Sequence, residues 1–327
     1  GQSLRAGTFT VGDFALFVSY LGHFAQFAGL VSELSRQYKQ QVPSYGRMVE
    51  LLQGGDPRQL VAHRSLHLRH DPPPVPAPVR TDADRLETLE ARGLTYLHPG
   101  RTTGIRDVSL TLERGTLTVV TGRIGAGKTT FLRVLLGLLP NQGGELLWNG
   151  RRLDDPASFF VPPRAAYVPQ VPRLFSETLR DNLLLGLPED AVDLADALHL
   201  AVFERDVAAM GTGVAAPHGG EDDEAGVRRR CAAGLETRVG PRGVRLSGGQ
   251  VQRAAAARAL VRLPELLVVD DLSSALDVET EHTLWHRLSS LGAGHEMTIL
   301  AVSHREAVLK RADQVIWLED GQIGPGT

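Results

Sequence analysis

Apolar residues dominate one stretch near the start of the chain. From Phe14 to Ser32, nineteen residues carry no formal charge, and Asp13 and Glu33 bound this stretch. As a helix it would be about 28 Å long, close to the thickness of a bilayer's hydrocarbon core. Three polar residues recur along one helical face: Ser19, His23 and Gln26. That stripe fits a membrane helix facing a bundle interior, and equally an amphipathic helix of a soluble protein.

The next two segments differ sharply in composition. Glu33 to Leu52 is polar with a helical pattern, which predicts that the helix continues. From Gly54 to about Thr81 the chain is rich in proline and predicts a spacer, because proline lacks an N–H donor and favours extended geometry. The prolines are Pro57, Pro72, Pro73, Pro74, Pro76 and Pro78. A zinc site on His63, His67 and His70 is not favoured on such a scaffold.

Short apolar strands alternate with helical patterns from about Leu86 onward. Leu117–Thr121, Leu266–Val269 and Thr298–Val302 are the clearest strands. This alternation predicts an α/β domain with a largely parallel sheet. The stretch from Gly211 to Gly234 contains an acidic run at 221–224 and a basic run at 228–230, and we interpret it as a solvated loop insertion.

Composition narrows the class of protein only a little. The chain has 42% apolar and 22% charged residues, which is ordinary for a globular protein. A net charge of −3 provides no basic field to attract nucleic acid, and we expect no nucleic-acid partner. The single cysteine, Cys231, excludes an intramolecular disulfide framework.

The strongest chemical signal lies directly after the first buried strand. Its nine residues are Gly122, Arg123, Ile124, Gly125, Ala126, Gly127, Lys128, Thr129 and Thr130, and a helical run follows them. This is the G-x-x-x-x-G-K-[ST] phosphate loop in its strand–loop–helix context. Backbone N–H groups and the helix N-terminus would cradle phosphates, Lys128 would reach the β/γ-phosphates, and Thr129 would offer its hydroxyl to Mg²⁺. The motif predicts binding of a nucleotide, with ATP and Mg²⁺ as the expected cofactors.

A second buried strand ends in two carboxylates. Asp270 and Asp271 follow Leu266–Val269. At the end of a strand in a nucleotide-binding sheet, Asp270 would hold Mg²⁺, and Asp271 would polarise the attacking water.

A family resemblance now becomes visible. Leu246 followed by Ser247, Gly248, Gly249 and Gln250 resembles the signature sequence of ABC-type ATPases. The resemblance implies that this segment binds the nucleotide of a second ATPase domain docked head to tail. It also implies roles for three further residues: Gln170 near Mg²⁺ and the attacking water, Asp277 in the D-loop, and His304 as the switch histidine. His98 takes the position of the residue that stacks on adenine, and Tyr96 is a nearby alternative.

Two further segments resemble the exporter branch of this family. They are residues 170–182, after the Q-loop, and residues 236–243, the X-loop. The resemblance implies that residues 1–52 are the end of a transmembrane domain, with its last membrane helix at about 14–32 and a cytoplasmic extension. Residues 53–85 would be a Pro-rich linker and 86–327 a P-loop ABC ATPase domain with a helical subdomain. The implied partners are a second half-transporter, identical or different, membrane lipid and a transported substrate. The full-length protein would be a multi-pass membrane protein with its ATPase domain on the cytoplasmic side.

The chain departs from the family pattern at several positions. Asp271 stands where the family usually has Glu, and His98 where it usually has Tyr. The insertion at 211–234 and the end at Thr327 are also atypical, and we expect the chain to be a fragment. Two other functions stay open: a soluble ABC ATPase that acts as a mechanical switch, and a degenerate half of a heterodimeric exporter that hydrolyses little ATP.

Overall fold

The computed structural model describes residues 10–52, 55–63, 81–212, 224–240, 243–290 and 297–324. The chain divides into two compact units, Gly1–Val75 and Pro76–Thr327. His67, His70 and the prolines at 72–78 lie outside the described residues, so the hypotheses of a spacer and a histidine metal site concern a segment of which only parts are described.

The first unit contains one long helix, α1 (Val11–Leu51), and a 3₁₀ turn at Pro57–Leu60. Helix α1 begins with a capping box in which the Asp13 backbone N–H donates to Thr10 Oγ1 at 3.1 Å and the Thr10 N–H donates to Asp13 Oδ2 at 2.8 Å. None of its residues is buried. The helix is long and apolar enough to cross a membrane, by length and composition.

The described residues of the second unit form ten strands in two sheets. In chain order they are β1 (Thr88–Leu97), β2 (Gly104–Glu113), β3 (Leu117–Thr121), β4 (Gly143–Trp148), β5 (Arg151–Arg152), β6 (Ala165–Val168), β7 (Leu266–Asp270), β8 (Thr298–Val302), β9 (Gln314–Glu319) and β10 (Gln322–Ile323). A four-stranded antiparallel sheet has the order β2-β1-β4-β5, and a six-stranded sheet the order β10-β9-β3-β8-β7-β6. In the larger sheet, all neighbours except β9 and β10 pair in parallel.

Helices surround the larger sheet. They are α2 (Lys128–Leu135), α3 (Pro156–Phe159), α4 (Leu179–Leu184), α5 (Leu194–Leu200), α6 (Glu204–Thr212), α7 (Glu224–Leu235), α8 (Gly248–Leu260), α9 (Val278–Ser289) and α10 (Glu306–Leu309). The predicted α/β class, with a helical subdomain and an apolar N-terminal helix, is confirmed.

The core lies on both faces of the parallel sheet. Strands β3, β7 and β8 are buried along their whole length, which explains their unbroken apolar sequence. Because successive side chains point to opposite faces, Val119 packs with the helical subdomain while Val120 packs against the antiparallel sheet. The two layers hold the ends of β3 and β7 rigidly, and those ends carry the predicted site.

The interpretation of Gly211–Gly234 as a loop is wrong for its described ends. Helices α6 and α7 occupy 204–212 and 224–235, and the basic run at 228–230 is helical. The two helices approach so closely that a Cβ on Gly234 would lie 1.8 Å from the Val207 carbonyl oxygen. Gly234 therefore allows two helix backbones to pack together. The acidic residues 221–223 lie outside the described residues.

This close packing predicts a loss of stability in the Gly234→Ala variant. The added methyl group must push α6 and α7 apart, and overpacking of this kind costs about 1–3 kcal/mol. We expect a lower midpoint of thermal unfolding for the second unit. Gly143→Ala is the matched control, because a Cβ there would make an ordinary contact of 3.5 Å with Thr95. Equal midpoints for the two variants would contradict the helix contact.

Candidate functional site

The phosphate loop joins the buried strand β3 to the N-terminus of α2. Gly122 has a φ of 140°, and a Cβ there would lie 2.1 Å from the Leu318 carbonyl oxygen of β9. Only glycine fits at this position. Gly127 is the N-cap of α2, so the helix starts at Lys128 and directs its first backbone N–H groups toward the loop. This geometry suits an anion, because the helix N-terminus carries partial positive charge.

Lys128 lies across the phosphate loop. Its Nζ donates hydrogen bonds of 2.8 Å to the carbonyl oxygens of Gly122 and Arg123. Partial burial lowers the pKa of the Lys128 ammonium, and the negative charges of Asp270 and Asp271 act in the opposite direction. The ammonium group is therefore held at the loop, with two carboxylates near enough to favour its charged form.

Asp270 and Thr129 meet at the base of the loop. Thr129 Oγ1 donates a hydrogen bond of 2.8 Å to Asp270 Oδ2, although the two residues are 141 positions apart in sequence. Tyr167, which the sequence analysis did not identify, lies on the other side of the same oxygen, with its hydroxyl at 3.5 Å. Burial raises the pKa of Asp270, and the charge of Asp271 adds to that shift, while the bond from Thr129 opposes it.

These oxygen donors fit Mg²⁺. Mg²⁺ in phosphate sites is usually held by one or two carboxylates, a hydroxyl, water and the substrate's own phosphates. The described residues contain no group of three or more His, Cys, Asp or Glu side chains that could hold a metal by themselves. The Asp270–Thr129 pair therefore matches a magnesium ion shared with a nucleotide better than a closed metal site.

Asp271 has an unusual backbone conformation. Its φ is 56°, in the left-handed region, and its backbone N–H donates to the Val302 carbonyl oxygen at 3.0 Å. Gln170 Nε2 lies 3.5 Å from Asp271 Oδ2. In the described part of the chain, Asp271 Oδ1 is buried without a hydrogen-bond partner. A buried acceptor of this kind is suited to receive a hydrogen bond from water.

The structure brings Gln170 and Asp271 together, and His304 lies at the same edge of the sheet. His304 follows β8 by two residues and is solvent-exposed. Strands β7 and β8 are parallel, and Asp270 and Val302 are the last residues that pair between them. Asp271 and His304 therefore follow the carboxyl ends of two neighbouring strands.

His98 lines a cavity of about 480 Å³ beside the phosphate loop. The other lining residues are Pro99, Arg101, Thr103, Gly104, Gly125, Gly127 and Thr130. Tyr96 is only 6% exposed and meets the His98 ring edge-on, with 5.1 Å between ring centroids. Of these two aromatic residues, His98 is therefore the one available to stack on a base.

We expect the His98 imidazole to stack weakly on the nucleobase of ATP, and a larger aromatic ring at this position to stack more strongly. A tyrosine offers more aromatic surface to a nucleobase, and stacking contributes about 1–3 kcal/mol per base. We expect His98→Tyr to bind ATP about threefold to tenfold more tightly, and His98→Ala to bind it more weakly. A fluorescent ATP analogue titrated against each variant measures this. Equal affinities for all three proteins would exclude a role of His98 in binding the base.

Ser247 caps helix α8, and Gly248 and Gly249 form its first turn. The Ser247 Oγ accepts from the Gln250 N–H at 3.3 Å, and the Ser247 N–H donates to Gln250 Oε1 at 2.9 Å. The first two N–H groups of the helix, on Gly248 and Gly249, therefore stay directed outward for an anion. The backbone N–H and the hydroxyl oxygen of Ser247 are thus both paired within the capping box.

The D-loop, residues 274–277, packs against the signature helix, which is α8. The contact is made by Gln252, a residue that the sequence did not identify. Buried Gln252 donates from Nε2 to Ser274 Oγ at 2.8 Å and accepts the Ala275 N–H at 3.1 Å. Asp277 caps α9 by accepting the Thr280 N–H at 2.9 Å, and that bond lowers the pKa of Asp277. The available signal for Gln252 was its place in the helix, two residues before the alanine run at 254–257.

A parallel sheet with this loop, this acidic strand end and this helical subdomain defines a P-loop nucleotide-binding domain. The family model described as "ABC transporter" matches residues 105–274. The chain belongs to the ABC transporter family.

Curated relatives and a solved structure extend this comparison. The chain is 29% identical over 283 residues to "Probable multidrug resistance ABC transporter ATP-binding/permease protein YheI" of Bacillus subtilis, covering 85% of this chain and 44% of that protein. It is 30% identical over 238 residues to an ATP-dependent lipid A-core flippase of Photobacterium profundum, covering 72% and 37%. A bacterial Atm1-family ABC exporter with ATP bound shares the fold, with a TM-score of 0.64, 23% identity and coverage of 97% of this chain and 49% of that one. The chain spans less than half the length of these proteins.

Proposed function

We propose that this chain is the ATP-binding and ATP-hydrolysing portion of an ABC exporter. The observation that carries the proposal is the 2.8 Å contact between Thr129 of the phosphate loop and Asp270 at the end of β7, where Mg-ATP would bind. The relatives named as multidrug and lipid A-core transporters support the export function. The transported substrate would be selected by membrane helices, and the described residues contain one helix that fits by length and composition.

The proposed roles divide between binding and hydrolysis. Gly122–Thr130 would bind the phosphates, and His98 would stack on adenine. Bound Mg²⁺ would neutralise charge on the β- and γ-phosphate oxygens. Thr129, Asp270 and Gln170 would hold that ion. Lys128 and His304 would donate to the γ-phosphoryl oxygens, and Asp271 would orient the attacking water.

The proposed active form is a head-to-tail dimer with a second half-transporter. The segment from Ser247 to Gln250, together with Asp277, would bind the nucleotide held by the partner's phosphate loop. ATP would stabilise the closed dimer because each ATPase domain supplies only part of its binding site. We further propose that residues 14–32 span the membrane, that 33–52 extend into the cytoplasm, that 53–85 are a linker, and that 86–327 are the ATPase domain.

One alternative is favoured by a specific observation. Asp271 is one methylene shorter than the glutamate usual in this family, and a misplacement of about 1 Å can cost about a hundredfold in rate. The chain would then be the slow half of a heterodimeric exporter. A soluble mechanical switch is less well supported, because apolar residues such as Phe24 and Phe27 of α1 are exposed.

Steady-state Mg-ATP hydrolysis by the full chain in detergent, measured across protein concentration, tests the proposal. We expect turnover per chain to rise with concentration, because the proposed active form is a dimer. Absence of both ATP binding and turnover would overturn the proposed function.

A further inference from the structure

Asp206 connects helix α6 to the signature helix α8. Its carboxylate accepts two hydrogen bonds, from Gln250 Nε2 at 3.1 Å and from Arg253 Nε at 3.0 Å. It also forms an ion pair with Arg253, whose Nη2 lies 2.9 Å from Asp206 Oδ2. The side chains of Asp206 and Arg253 are 19% and 13% exposed, so this ion pair is largely shielded from water. A partly buried, multiply bonded pair of this kind fixes geometry more firmly than a surface ion pair does.

The bond from Gln250 to Asp206 determines which way the Gln250 amide points. An amide has one acceptor end and one donor end, whereas a carboxylate only accepts. Asp206 therefore binds the Nε2 end and leaves Oε1 directed at the Ser247 N–H, 2.9 Å away. That orientation completes the capping box at the start of α8. Asp206 thus controls the N-terminus of the signature helix without itself facing the anion.

A second contact connects the same turn of α6 to the helix after the D-loop. Glu204 Oε1 accepts from Arg287 Nη1 of α9 at 2.9 Å. Helix α6 therefore contacts both α8 and α9, the helices that follow Ser247 and Asp277. It is also the first helix of the α6–α7 pair, whose second helix lies in the segment 211–234 that we expect to depart from the family pattern.

We propose that Asp206 is a positioning residue for the signature segment, and that through it the α6–α7 helix pair sets how well that segment binds the partner's ATP. This inference rests on the proposed function. It requires that Asp206 act on the segment Ser247–Gln250 and leave the chain's own phosphate loop unaffected, since its described hydrogen bonds go to α8.

Hydrogen exchange of the full chain in detergent, read by mass spectrometry, tests the positioning directly. In Asp206→Ala, amides of residues 247–253 should exchange about fivefold to tenfold faster, as expected for a lost helix cap. Exchange in residues 122–130 should not change. Asp206→Asn keeps an acceptor for Gln250 Nε2 and should retain most of the protection. Asp193→Ala is the matched control, because it removes the cap of α5, and the described hydrogen bond of the Asp193 side chain, from the Asp196 N–H, stays within α5.

Turnover provides the readout that a merely structural role would not produce. In an Asp271→Glu background, Asp206→Ala should lower kcat by about tenfold or more, while the ATP concentration at half-maximal rate changes little. Unchanged exchange at 247–253, or an equal kcat, would overturn the inference. So would a matching loss in Asp193→Ala, since that would indicate a general loss of stability. Failure of ATP to protect residues 122–130 in the wild type would instead overturn the proposed function.

Discussion

Replacing Lys128 with alanine is expected to abolish ATP-driven closure and to lower ATP hydrolysis by about a hundredfold to a thousandfold. The ammonium group lies over the phosphate loop, 2.8 Å from two of its carbonyl oxygens, and near the carboxylates of Asp270 and Asp271. Removing it leaves those carboxylates uncompensated beside a triphosphate. The variant therefore loses an attraction and gains a repulsion at the same place.

The measurement is Mg-ATP turnover together with binding of a fluorescent ATP analogue. Lys310→Ala is the control, because Lys310 is exposed and, among the described residues, forms its ion pair with Glu306 one helical turn away at 2.7 Å. A surface pair of this kind contributes little, so turnover in the control should match the wild type. If Lys128→Ala kept its ATPase activity, the proposed mechanism would fail, because no other lysine lies in the phosphate-loop segment 122–130.

The phosphate loop could be predicted because its physics is local. A buried strand, a glycine-rich turn and a helix follow one another within about twenty residues, and each requires particular residue types. Predicting the contact between Thr129 and Asp270 required one further rule, which concerns the strand ends of a parallel sheet. In a parallel sheet the carboxyl ends of strands share one edge, so an acid that ends one strand lies near a loop that ends another.

Helices α6 and α7 could not be predicted in the same way. Clusters of charge are typical of solvated loops, and the acidic run at 221–224 and the basic run at 228–230 gave that signal. The packing of α6 against α7 depends on close backbone contacts at Gly211 and Gly234. No pattern within either helix reveals these contacts. Asp206 was missed for the same reason, because its partners Gln250 and Arg253 lie 44 and 47 positions away. Contacts of this type follow from tertiary packing.

Asp271→Glu is expected to raise ATP turnover by as much as about a hundredfold, because the longer side chain restores about 1 Å of reach toward the attacking water. The backbone opposes the change slightly. Asp271 has a φ of 56°, a conformation that aspartate adopts more readily than glutamate. A small loss of stability should therefore accompany the gain in rate, and Asp271→Asn should lose turnover while keeping ATP binding, since an amide is a poor base.

Comparing wild type with Asp271→Glu across protein concentration also separates the two forms of the proposed exporter. Wild-type turnover that rises with concentration, with little gain from glutamate, would mean that Asp271 is sufficient and that two copies of this chain form the active dimer. ATP binding without turnover, restored by glutamate, would mean that the site is degenerate and that a different partner carries the hydrolysis. If glutamate restored nothing although ATP bound, the position of Asp271 would not limit the rate, and the assignment of Asp271 as the water-orienting residue would be wrong.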